Sequence, residues 1–143
     1  MNPRFFVAAF CVASLSLGST AVAEAWEAEE VLGLATELDE AIATVLALAP
    51  EAPQQDTAFQ QRTRDAAVVQ MKRAQQASHR FVTKLRLGWS RGETESHWSV
   101  LSAALEGVGE TAQDAVAMPN TRPYMERIGV LRFELEKRYQ PPE

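Results

Sequence analysis

Beyond residue 24, apolar side chains recur at alternating intervals of three and four, and no stretch alternates in twos. That period keeps one face of a helix apolar, so the pattern predicts helices and no half-buried strand. The first helix is expected over 25–49, with Val31, Leu34, Leu38, Ala41, Val45 and Leu48 as its seam and Ile42 and Leu46 widening it. Pro50 and Pro53 end it, because proline lacks an amide donor and constrains the residue before it.

A second helix is expected over 56–87, with Asp56 as N-cap and a seam of Ala67, Met71, Ala74, Ser78, Phe81 and Leu85. Gly88 stops it, the turn runs from Leu87 to Thr94, and Trp89 in that turn is expected to cover one end of the core. The third helix, over 94–118, repeats the spacing with Trp98, Leu101, Leu105, Val108, Ala112 and Ala115. Gly107 and Gly109 each weaken it by about 1 kcal/mol relative to alanine, and are expected to mark a kink or a close backbone approach. The last helix, over 121–139, has Thr121 as cap and Pro123 in its first turn. Its seam is Tyr124, Ile128, Leu131 and Leu135, followed by Tyr139. The expected fold is all-α: a single antiparallel up-down-up-down four-helix bundle over 24–143, after a cleaved signal peptide.

The first 23 residues are read separately. Arg4 is their only charge, Phe5 to Leu17 is apolar, and Ala21-Val22-Ala23 ends the stretch. A charged start, a short apolar run and an A-x-A ending predict a signal peptide cleaved after Ala23 and a periplasmic location. The run is shorter than the roughly 20 residues of a spanning helix, so no stable membrane insertion is expected after cleavage. Cys11, the only cysteine, leaves with that segment. No disulfide, thiol chemistry or thioether-linked heme is then available to the mature chain.

Charge is distributed unevenly. Of the 14 Lys and Arg residues, eight lie between Asp56 and Arg91, whereas 24–51 and 92–120 contain none. A basic helix thus stands between two acidic ones, with a mixed helix last. The net charge of −5 argues against nucleic acid as a partner.

Motifs that carry chemistry are missing. The two histidines, His79 and His97, have no Asp or Glu three residues before them, so the Glu-x-x-His pairs of di-iron bundles are absent. Two histidines without cysteine do not make a zinc site, and neither lies in a nucleophile motif. Gly107-x-Gly109 lacks the strand and third glycine of a dinucleotide loop.

With its signal-like start, mature length of 120 residues and the ending Lys137-Arg138-Tyr139, the chain resembles the exported four-helix cytochromes, the c-prime family and the related soluble b-type bundle. The resemblance is one of architecture. It implies a heme-binding bundle for electron transfer or gas binding, the alternative function considered. The family's C-x-x-C-H is absent from the last helix, and so are the b-type methionine of the first helix and histidine of the last. Heme would fall to His79, His97, Met71 or Met125, and the expectation is no cofactor.

The most distinctive outward feature is on the second helix. Lys72, His79 and Arg86 recur every seven residues, with Arg73 and Arg80 beside them. This basic stripe reads as a docking surface for an acidic protein or another anionic partner, with His79 adding charge in mild acid. The competing reading is charge balance with the acidic neighbouring helices. The expected function is non-enzymatic: an exported bundle that binds a protein or a small ligand. A homodimer with Trp26 or Trp89 at its interface stays open.

Overall fold

The computed structural model describes residues 26–49, 57–112 and 120–140. These form four helices: α1 (Ala28–Leu48), α2 (Ala58–Arg86), α3 (Arg91–Ala112) and α4 (Arg122–Tyr139). The protein is all-α, and its helices pack as a bundle. The expected signal peptide with its cleavage after Ala23, the Asp56 cap, and the third helix beyond Ala112 lie outside the described residues.

Local chemistry moves two helix starts from their expected places. Thr57 caps α2: its hydroxyl accepts the Gln60 amide at 3.3 Å, while the Gln60 side-chain oxygen accepts the Thr57 amide at 2.8 Å. Such a reciprocal box satisfies two amides that have no partner within the helix. α3 begins at Arg91, not at Thr94 or Glu95, because Ser90 and Glu93 lock its first turn. The Ser90 amide and hydroxyl both donate to the Glu93 carboxylate at 2.8 Å and hold its pKa below the usual value. The turn before it is correspondingly short, and Gly88 makes it by adopting a φ of 80°, which other residues rarely adopt. At α4, the Thr121 side chain makes no cap bond, and its carbonyl accepts the amides of Tyr124 and Met125 at 3.0 Å.

The buried seams follow the expected spacing with a few exchanges. All six seam positions of α2 are buried, as are Trp98, Leu101, Leu105 and Val108 of α3. In α1 the buried stripe is Val31, Ala35, Leu38, Ala41, Ile42 and Val45, whereas Leu34 and Leu48 sit half-buried at its margins. In α4, Ile128, Leu131, Leu135 and Tyr139 are buried and Tyr124 is exposed. Gly107 and Gly109 are not forced by a close approach: a methyl at Gly107 would meet only Gln70 Oε1 at 3.9 Å, and one at Gly109 would meet nothing within 4 Å.

α1 packs against α2 and α4, α2 packs against α3, and α3 and α4 approach each other only slightly. The bundle is therefore a square with one loosely closed side. Contacts between α1 and α4 run in opposite chain directions, with Glu37 paired to Arg127 and Glu30 to Arg138 at 2.6 Å. One end of the core is closed by aromatic rings. Tyr139 meets Trp26 edge-on at 5.1 Å, stacks on Trp98 at 5.5 Å and touches Phe81 at 5.9 Å. Trp89, expected to cover an end, instead lies half-buried under the Lys84 ammonium, 4.0 Å from its ring centre, and beside His97. Trp26 is packed into this intramolecular cluster.

Candidate docking surface

The core seam of α2 fixes what its other sides present. Positions 67, 71, 74, 78, 81 and 85 face inward, so their helical opposites must face outward. Lys72, Arg73, His79, Arg80 and Arg86 are all exposed, as the periodicity implies. They form two parallel rows. Lys72, His79 and Arg86 stand on the side next to α1, where His79 Nδ1 lies 3.8 Å from Asp39 Oδ2. Arg73 and Arg80 form the second row, one position further round the helix. At 1.5 Å per residue the stripe from Lys72 to Arg86 is about 21 Å long.

The distribution of ion pairs differs between α4 and the stripe of α2. Every basic residue of α4 has an acidic partner. Arg122 pairs with Glu126, Arg127 with Glu37, Arg132 with Glu106, Lys137 with Glu134 and Arg138 with Glu30. Three of these pairs cross to α1 or α3, so α4 neutralises the acidic helices. Among the described residues, Lys72, Arg73, Arg80 and Arg86 make no ion pair at all. The four cations of the stripe stay directed at solvent.

Sequence reasoning missed the apolar members of the same face. Phe59 is 78% exposed, Val69 49% and Leu87 67%. With Arg62, Ala66, Arg73, Gln76, Arg80 and Thr83, they continue a three-four spacing opposite the seam, and all of these residues are exposed. The signal was available as a second, outward periodicity on α2. It was hidden because an isolated exposed apolar residue has no meaning until the core face is known. Arginine and aromatic side chains such as Phe59 are enriched at protein interfaces, whereas lysine is among the depleted residues.

The residues considered as heme substitutes are differently placed. Met71 is buried in the core on α2, and the His79 side chain is 74% exposed. His97 lies half-buried on α3 against Trp89, and Met125 packs half-buried against the core from α4. Among the described residues, no three His, Cys, Asp or Glu side chains gather around one point. No described helix is long and apolar enough to cross a membrane. Comparison of the chain with protein-family models, curated proteins and solved structures found no match.

Proposed function

We propose that this is a non-enzymatic, exported docking protein that binds an acidic protein surface through the outward face of α2. The observation that carries the reading is the absence, among the described residues, of ion pairs at Lys72, Arg73, Arg80 and Arg86, while all five basic residues of α4 are paired. Unpaired surface cations of one sign raise the encounter rate with an oppositely charged partner and set its orientation. The exposed Phe59, Val69 and Leu87 add apolar area that charge alone does not give. Export, with a periplasmic destination, is supported by Arg4, the apolar Phe5–Leu17 run and Ala21-Val22-Ala23.

The test uses two baits, the mature protein and its K72E/R73E/R80E/R86E variant, against periplasmic proteins. All four side chains are exposed, so the variant is expected to keep its far-UV circular dichroism and melting cooperativity. An acidic prey retained by the first bait and lost from the second is the expected outcome. Equal retention of the same preys by both baits removes α2 as the docking element.

A further inference from the structure

The loosely closed side of the bundle is a cleft of about 400 Å³ between α3 and α4. Its floor is the Trp98–Tyr139 stack, whose planes lie 15° apart. Its α3 wall carries Ser99 and Ser102, each one position past the buried seam residues Trp98 and Leu101, and these small side chains line its α3 side. Glu95 and Glu136 line it from the two helices without an ion pair among the described residues, whereas Glu106 is held by Arg132 at 2.7 Å. The cleft therefore offers the carboxylates of Glu95 and Glu136 and the Ser99 and Ser102 hydroxyls over an aromatic floor, with the Arg91 guanidinium engaged at its end by the Tyr139 and Gln140 carbonyls at 3.0 and 2.6 Å.

We propose that the cleft receives α2 of a second copy, so that the protein assembles head to tail. This rests on the docking reading of α2 and names its partner. Charge complementarity selects the occupant. The outward face of α2 is the only described helix face with several unpaired cations, and α3 beyond Arg91 has no Lys or Arg. The lengths are comparable: the stripe covers about 21 Å of α2, and the cleft lining on α3, from Glu95 to Glu106, about 16 Å. Val69 and Leu87, exposed beside the arginines, bring apolar groups to the aromatic floor.

Two geometric facts make the assembly open. A symmetric α2–α2 contact would set like charges against each other, which disfavours it. Within one copy α2 packs against α1 and α3 and not α4, so its outward face and the cleft point in different directions. Each copy thus gives with one surface and accepts with another, the heterologous arrangement that propagates unless rotation closes a ring.

Sedimentation velocity of the mature protein over a wide concentration range tests this. It is run at about 10 mM salt, where charges act over roughly 30 Å, and at about 1 M, where roughly 3 Å remains. The wild type is expected to grow past the dimer as concentration rises in low salt and to stay monomeric in high salt. R73E/R80E loses the donor face and E95K/E136K the acceptor, and each alone is expected to be a monomer. Mixed in equal amounts they still hold one good donor and one good cleft, so they are expected to form a one-to-one dimer that cannot extend. S102W, which fills the cleft without changing charge, is expected to abolish growth and is the control if the glutamate variant folds poorly. A wild type that stays monomeric, a wild type that stops at a dimer, or a mixture that does not pair overturns the proposal. A monomeric wild type whose α2 still captures an acidic prey overturns only the self-assembly and leaves the docking reading standing.

Discussion

At the scale of single residues, Tyr139 carries more of the structure than its position near the end of the last helix suggests. Its ring touches Trp26, Phe81 and Trp98, and its hydroxyl lies 2.7 Å from that of buried Thr94. The Thr94 hydroxyl lies 2.9 Å from the Ser90 carbonyl, so one proton chain satisfies both groups. Burial pushes the Tyr139 pKa up to about 12, with the nearby Glu95 charge adding, while the Thr94 hydrogen bond and the Arg91 cation oppose the rise. In the unfolded chain a tyrosine ionises near 10. The folded form therefore keeps a proton that the unfolded form loses, and this contribution is complete below about pH 10 and disappears as pH climbs toward 12. Urea midpoints are expected to fall across that window in the wild type and to fall less in Y139F. At neutral pH, Y139F is expected to cost about 1–2 kcal/mol, because the buried Thr94 oxygen loses a partner. A neutral-pH midpoint unchanged in Y139F would show that the hydroxyl pair contributes nothing. The spacing put Tyr139 just after the last seam position, Leu135. It could not show that Trp26, just before α1, converges there with Phe81, Trp98 and Tyr139 of three helices, because that depends on how the helices are arranged.

At the scale of the element, α2 shows what periodicity can and cannot deliver. Its six expected seam positions are all buried, since a 29-residue helix gives the pattern many turns in which to repeat. Its boundaries were less legible, because caps depend on one or two hydrogen bonds. Asp56 and Thr57 are both good capping residues, and the decision rests with Gln60 three residues after the threonine. T57A is accordingly expected to destabilise the protein by about 1 kcal/mol. Hydrogen exchange would locate the loss in the first turn of α2, and a uniform change along the helix would contradict a capping role. The stripe itself was fully legible, all five residues being exposed. The ion pairing of α4 with α1 and α3 was not, because it is a tertiary fact that the order of charged segments does not contain. The same limit explains Tyr124, which fits the seam spacing yet lies in the first turn of α4, 38% exposed.

At the scale of the molecule, the helices associate unequally, and the consequence concerns connectivity. α1 begins and α4 ends at the same corner of the bundle, where Trp26 and Tyr139 are 5.1 Å apart between ring centres. The order of elements along the chain is thus one choice among several that this packing tolerates. A circular permutant that joins residue 140 to residue 26 and opens at Gly88 would replace one surface turn by another. Extended chain covers roughly 3.3–3.6 Å per residue, so a joining loop of about four to six flexible residues spans the corner. Chain ends that lie close together are the usual condition for such rearrangement. The permutant is expected to keep the helical signal and a single cooperative melt. Loss of both would mean that the Gly88 turn is required for the bundle to form, and its retention would leave the aromatic corner, not the order of the chain, as what brings the four helices together.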